Sequence, residues 1–200
     1  MIESVLGIIP ARGGSKRLPG KNLRMIGGKS LLRITVEQAK KALPVCVVTT
    51  DDEKIILEAL RCGVKALLRP AELATDDASS GDVVKHVIWT YPEFEWYCLL
   101  QPTSPCRTVT DILACIDLAE QSGKSVVSTY KAKPNGAVYV GRTWKFSGDF
   151  WGDAVHYEMP KERSIDIDTL ADFNEAERVI NGNLVRATPD GEVLQDMRNF

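Results

Sequence analysis

Apolar runs of strand length alternate along this chain with segments in which apolar positions recur every three or four residues. The runs at 5–10, 45–50, 64–68, 96–100 and 125–128 predict strands. Four helical patterns fill the gaps. Leu31, Leu32, Thr35, Val36 and Ala39 share one face, as do Ile55, Ile56, Ala59 and Leu60; the other two are Val83, Val84, Val87, Ile88 and Ile112, Leu113, Ile116, Ala119. Gly63 and Gly123 supply C-terminal caps, and Thr110 the N-terminal cap of the fourth helix. Past residue 128 the order changes. "GAVYV" (136–140) and "VHYEM" (155–159) read as strands. "SIDID" (164–168) reads as an extended strand running into a helix, where Thr169 and Asp172 have the spacing of a capping box. Periodicity is lost from about Gly182, which predicts a loose tail over 182–200. Strands and helices alternating in this way predict the α/β class, a mostly parallel sheet covered by helices.

Two hundred residues suffice for one domain with a sizeable core, so 1–200 is expected to be a single unit. The 25 basic and 27 acidic residues nearly cancel over the chain. Between Ser4 and Val36, however, stand seven Lys or Arg and no Asp or Glu. A local positive field on a near-neutral chain suits a small anionic ligand and argues against nucleic acid as a partner. No apolar run is long enough for a membrane span, and the stretch after Glu3 is too short for a secretory leader. A cytoplasmic location with no membrane partner is expected. The five cysteines are scattered through apolar segments, as suits reduced thiols packed as small hydrophobes.

The cations gather in "IIPARGGSKRLPGKN" (8–22), directly after the first predicted strand. In an open parallel sheet the ligand sits at the carboxyl ends of the strands, and this loop lies there. Gly13 and Gly14 let backbone amides approach phosphate oxygens, Ser15 adds a hydroxyl, and Arg12, Lys16 and Lys21 can neutralise a triphosphate. No Gly-x-Gly-x-x-Gly follows the strand. "LRMIGGKS" (23–30) matches only the end of a Walker motif and reads as a turn before a helix capped by Ser30. Charge alone leaves open a solvated basic face.

In "SIDID", a period of two puts Asp166 and Asp168 on one side and Ile165 and Ile167 on the other. Paired carboxylates repel one another unless a cation intervenes, and hard oxygen ligands suit Mg²⁺ bridging to phosphates. A lone Asp-x-Asp also suits a strand end that caps the next helix. Beside a Gly-rich cationic loop, the metal reading is the better one. His86 and His156 have no evident chemical partner and read as satisfied structural residues, and the four tryptophans read as core or rim aromatics.

The run Pro-Ala-Arg-Gly-Gly-Ser-Lys-Arg-Leu-Pro-Gly-Lys-Asn at 10–22 resembles the signature of cytidylyltransferases that make CMP-activated acidic sugars, the acylneuraminate cytidylyltransferases above all. "LRPAELATDDASS" (68–80), "LLQPTSPCR" (99–107), "PNGAVYV" (134–140) and "SIDIDTLADF" (164–173) match further motifs in the same order. The resemblance implies a Rossmann-like three-layer α/β/α nucleotidyltransferase fold and Mg²⁺-dependent transfer of CMP from CTP to an acidic keto sugar. It implies a nucleotide cradle of Ala11, Arg12, Gly13, Gly14, Ser15, Lys16, Lys21 and Asn22, with Lys16, Arg12 and Lys21 as the catalytic cations on the leaving pyrophosphate. Arg69 and Ser80 fall at cytosine-contacting positions and Asn135 at the position of an Asn near nucleotide and sugar. Gln101, Thr103 and Ser104 offer neutral hydrogen bonds to a sugar, Arg107 a cation or a loop brace, and Asp166 and Asp168 match the Mg²⁺ ligands. Read without the resemblance, Ser79 or Ser80 caps a helix and Asn135–Gly136 is a plain turn. A different acceptor, such as a KDO-like sugar or a phosphonate, or a non-catalytic nucleotide-binding homologue, stays open.

One departure stands out. Between the fifth predicted strand and Asn135 the chain has only "TYKAKP" (129–134), where acylneuraminate enzymes carry some tens of residues, including cations near the reacting centre and part of a dimerisation arm. Lys131 and Lys133 are expected to substitute in part, and a homodimer is expected to have a smaller or displaced interface.

Overall fold

A computed structural model of the chain describes residues 2–75 and 77–187. The strands are β1 (Val5–Pro10), β2 (Met25–Ile26), β3 (Lys29–Ser30), β4 (Val45–Thr50), β5 (Lys65–Leu68), β6 (Trp96–Leu99), β7 (Val126–Tyr130), β8 (Lys133–Arg142) and β9 (Val155–Glu158). The helices are α1 (Leu31–Ala42), α2 (Glu53–Arg61), α3 (Ser80–Thr90), α4 (Val109–Ser122) and α5 (Leu170–Ala187). Seven strands form one sheet in the order β5-β4-β1-β6-β8-β7-β9, and β2 and β3 form a separate two-stranded ribbon. Only β8 is antiparallel to its neighbours in the large sheet.

Alternation along the strands builds two cores. Val5 and Ile9 of β1, with Val48, Cys98, Leu100 and Val138, pack under α1, α2 and α4 through Leu32, Val36, Ile55, Ile112 and Ile116. Leu6 and Ile8 face the other way with Val47, Tyr97 and Leu99, and meet Val84 and Val87 of α3. The result is the expected three-layer α/β/α arrangement. A third cluster ties Leu18 of the basic loop, Ile26 and Leu31 to Ile165, Ile167, Phe173 and Ala176, so α5 docks beside the loop and not over the sheet.

Several expectations need correction. The cap of α4 is Thr108, whose hydroxyl accepts from the Asp111 amide while the Asp111 carboxylate accepts from the Thr108 amide. Thr110 lies inside the helix. "SIDID" joins no sheet, because β9 ends at Glu158 and the chain turns at 161–163 before reaching it. Its alternation survives, with Ile165 and Ile167 buried. "GAVYV" is the middle of a ten-residue strand, and Asn135–Gly136 sits at a register shift opposite Ser128, not in a turn. Helix α5 continues past Gly182 to Ala187; the rest of the expected tail, 188–200, lies outside the described residues. All five cysteines are free. Of the tryptophans only Trp96 is core, while Trp89 and Trp144 stand well out in solvent. His86 is not satisfied: its Nδ1 is buried with no partner among the described residues. No described helix is long and apolar enough to cross a membrane.

Candidate active site

The chain runs from β1 to β4 and β5 on one side and then returns to β6 on the other, so the sheet order reverses beside β1. Loops that diverge at such a point leave a crevice at the carboxyl ends of the strands. A recess of about 660 Å³ opens there, walled by the loop after β1, the 69–80 segment, the loop after β6 and the Asp166–Asp168 stretch.

Of the residues singled out from sequence, Arg12, Ser15, Lys16, Lys21, Asn22, Arg69, Ser80, Gln101, Thr103, Asp166 and Asp168 line this one recess. Ala11, Gly13, Gly14, Ser104 and Asn135 do not. Ala11 is fully buried, and its amide donates to the Thr49 carbonyl at 3.0 Å. Gly13 is glycine for a packing reason, since a Cβ there would come within 2.5 Å of Asp52 Oδ2 and 2.7 Å of Asp52 Cβ. Its amide is already engaged, donating to Asp51 Oδ1 at 3.0 Å, and the Ser15 amide turns back to the Gly13 carbonyl. These two amides therefore shape the loop; that of Gly13 is one of the pair, with Gly14, expected to approach phosphate. Gly14 is open, with nothing within 4 Å of a notional Cβ.

The basic loop is anchored at both ends. Asn22 Nδ2 donates to the Arg12 carbonyl at 2.9 Å, and Leu18 is buried against α5. Lys21 then joins the loop to the acidic stretch: its ammonium donates to the Ile167 carbonyl at 2.7 Å and to Asp168 Oδ1 at 3.3 Å. From the other side the Ile167 amide donates to the Thr103 carbonyl at 2.7 Å, which fixes both halves of that residue's backbone. Arg17, absent from the sequence-derived set, lines the recess and pairs with Asp168 Oδ2 at 3.0 Å. Asp166 is exposed to the cavity, and the protein crowded around its carboxyl still raises it above the ordinary aspartate range. The charge of Asp168 adds to the rise, while a Thr103 hydrogen bond and the Lys21 charge oppose it.

Two buried polar systems support the walls. Arg107 is the brace that sequence left as one of two options. Its guanidinium donates to the carbonyls of Gln101, Ser104 and Ala137 at 2.7, 3.0 and 3.1 Å and to Thr35 Oγ1 at 3.0 Å. Burial lowers its pKa to about 10, so the loop after β6 is held around a desolvated cation. Asn135 receives the Ser128 hydroxyl at 2.6 Å and the Ala137 amide at 3.1 Å, and donates to Ser164 Oγ at 3.0 Å. Gly136, at φ 75°, follows; a side chain there would meet Gln101 Oε1 at 2.8 Å and Asp166 Cγ at 3.6 Å. Ser104 and Asn135 thus stand behind the wall and set the position of Gln101 and Asp166. Neither His86 nor His156 lines the recess, and neither do Lys131 and Lys133.

On the opposite wall, Arg69 is buried with its guanidinium on the Thr49 hydroxyl and carbonyl at 3.2 and 2.9 Å. Desolvation lowers its pKa to about 10, with Asp51 opposing and Arg12 adding to the fall. Ser79, and not Ser80, caps α3, which leaves Ser80 on the cavity surface. The acids suit a divalent cation. No group of three or more His, Cys, Asp or Glu forms a metal cluster among the described residues, so the chain offers Asp166 and Asp168. One or two carboxylates completed by substrate phosphates and water is the donor set that suits Mg²⁺.

A family model described as cytidylyltransferase matches residues 6–142. The chain is 34% identical over 214 aligned residues to N-acylneuraminate cytidylyltransferase of Escherichia coli O18:K1:H7, a match covering 86% of this chain and 51% of the relative. It is 35% identical over 170 residues to CMP-N,N'-diacetyllegionaminic acid synthase of Legionella pneumophila subsp. pneumophila, covering 80% of this chain and 70% of that one. The chain spans about half the length of the N-acylneuraminate cytidylyltransferases it matches. The Escherichia coli match has more aligned positions than this chain has residues, so that relative carries residues within the matched span that are missing here. Among solved structures, CMP:2-keto-3-deoxy-manno-octonic acid synthetase complexed with CTP superposes with a TM-score of 0.73 at 17% identity, covering 90% of this chain and 99% of that one. A nucleotidyl transferase from Methanothermobacter thermautotroptrophicus gives 0.73 at 11%, with the same coverage. At those identities the superpositions establish the Rossmann-like nucleotidyltransferase fold.

Proposed function

The chain belongs to the cytidylyltransferase family, and from that premise we propose that it transfers CMP from CTP to an acidic keto sugar, releasing pyrophosphate and using Mg²⁺. The observation that carries the proposal is a single recess in which Arg12, Lys16, Arg17 and Lys21 stand across from Asp166 and Asp168. An acceptor hydroxyl oxygen bonds to the α-phosphorus, the bond from that phosphorus to the oxygen bridging it to the β-phosphate breaks with the electron pair leaving on pyrophosphate, and the hydroxyl proton passes to solvent water. The protein needs little covalent chemistry for this; it positions the reactants and neutralises charge. Arg12, Lys16 and Lys21 are assigned to the triphosphate and its leaving pyrophosphate, Arg69 and Ser80 to the base, and Gln101 and Thr103 to the acceptor. Asp166 and Asp168 would hold Mg²⁺, which when bound neutralises phosphate charge. The Lys21 and Arg17 contacts to Asp168 tie the basic loop to the acidic stretch.

A pyrophosphate-release screen of nine-carbon and eight-carbon keto-acid sugars with each of the four NTPs tests the proposal. The expected result is turnover with CTP and at least one acidic sugar, with CTP favoured over UTP by about 1 to 3 kcal/mol in kcat/KM, the scale of one buried polar group left unpaired. CTP binding without pyrophosphate for any acceptor would identify a nucleotide-binding module instead, and equal turnover of all NTPs would remove the base assignments.

A further inference from the structure

The sequence "TTDDEK" ends β4 with two acids, and only the second has a local role. Asp52 caps α2, accepting from the amides of Lys54 and Ile55 at 2.7 and 3.2 Å. Asp51 reaches across instead, to a loop 38 residues earlier, and accepts the Gly13 amide at 3.0 Å. That bond is one of three that hold Arg12 by its backbone: the Ala11 amide on Thr49, the Gly13 amide on Asp51, and the Arg12 carbonyl under Asn22. The same end of β4 carries Arg69, which donates to the hydroxyl and carbonyl of Thr49 and through its own amide to the Thr50 carbonyl at 2.8 Å. Residues 49–51 are therefore a common platform for the cation at each flank of the recess. Asp51 is also the negative charge acting on Arg69, where Arg12 contributes repulsion.

We infer that Asp51 is a positioning residue of this site: it tethers the basic loop through the Gly13 amide and so sets the spacing between Arg12, on the phosphate side, and Arg69, on the base side. The inference rests on the proposed use of the recess for CTP. It assigns Asp51 no contact with substrate. Its effect should be felt as nucleotide affinity and base selectivity together, because the tether fixes the distance between the groups that read the two ends of the nucleotide.

Calorimetric binding of CTP and of UTP to the full chain, with Mg²⁺ present, separates the possibilities. Asp51→Ala removes the acceptor and should weaken CTP binding at least about tenfold, the effect of losing a hydrogen bond to a charged group, and should shrink the CTP-to-UTP preference. Asp51→Asn keeps an oxygen facing the Gly13 amide and should remain within about threefold of wild type. A residue needed only for stability would lower Tm without changing the CTP-to-UTP ratio. Equal CTP affinity in wild type and Asp51→Ala, or equal damage in both variants, overturns the inference alone. Wild-type chain that binds no nucleotide overturns the proposed function and this inference with it. Should Asp51→Ala fail to fold, amide hydrogen exchange of the wild type still decides: Gly13 must be protected relative to Gly14, and comparable fast exchange at both overturns the tether.

Discussion

The Asp166 carboxyl lies above the ordinary aspartate range. A carboxyl whose folded pKa is raised favours folding most when it is protonated, below its unfolded value, and loses that advantage as pH rises through the folded value. Asp166 is exposed to the recess, so solvent tempers the effect, and at neutral pH the ionised group is expected to be mildly destabilising. Asp166→Asn should raise the Tm of the ligand-free protein at neutral pH while lowering turnover at least about a hundredfold. Parallel melting curves and pyrophosphate assays check both halves, and a variant with lower Tm or near-wild-type turnover contradicts the assignment. Residues were legible in the sequence to different depths. Arg12, Lys16, Lys21 and the two acids stood out because charge and spacing are local properties. Gly13 has a second reason for being glycine that spacing does not show, the close approach of Asp52, 39 positions away, and Asp51 is hidden because a double acid before a helix looks like capping. An acid beyond the one the cap requires was the available signal.

At the scale of elements, α5 shows how a terminal helix is made part of the site. Thr169 and Asp172 form the expected box: Asp172 Oδ2 accepts from the amides of Asp168 and Thr169 at 3.1 and 2.7 Å and from the Thr169 hydroxyl at 2.8 Å. Burial pushes the Asp172 carboxyl up, but the Thr169 hydroxyl and the two amides together bring it below its ordinary range. A depressed carboxyl contributes stability above its unfolded pKa and loses it as pH falls through the folded value. Asp172→Asn should thus cost about 1 kcal/mol at pH 7, with the difference from wild type vanishing on the acid side of the ordinary aspartate range. Denaturant titrations at neutral and acid pH measure it, and a pH-independent difference would show that shape, not charge, forms the cap. The strands that wall the recess were readable because both faces are buried and apolar runs mark such strands. The α4 cap was misplaced by two residues because Thr108 and Thr110 both suit a cap by type, and only the reciprocal Asp111 bond distinguishes them. "SIDID" looked like a strand because its alternation is real; whether a sheet edge is free to receive it depends on the whole fold.

For the whole molecule, the connection between β7 and β8 is where the resemblance leads one to expect a shortened segment, and in this chain it is short. The loop contains just Lys131 and Ala132, both at positive φ (52° and 58°), the backbone of a tight two-residue hairpin. Glu158 holds it by accepting from both loop amides. Because β7 runs parallel to β1, the hairpin stands at the same edge of the sheet as the recess, but its lysines do not line the cavity. The double variant Lys131→Ala/Lys133→Ala should leave CTP affinity within about threefold of wild type, and a larger loss by calorimetry would mean that these cations reach the triphosphate. The reversed direction of β8 has a wider consequence. Every other strand of the large sheet ends at the edge where the recess lies, whereas β8 begins there, so the chain makes a U-turn at that edge before Asn135 and Gly136 stand behind the wall of the recess. The two turn residues themselves pair with no strand and are exposed, so the sheet pairing begins only at Tyr130 and Lys133. The strands that carry the recess and the turn at its edge are thus separable parts of one fold: the turn is two residues long and is joined to the sheet at its two ends and through the Glu158 carboxylate.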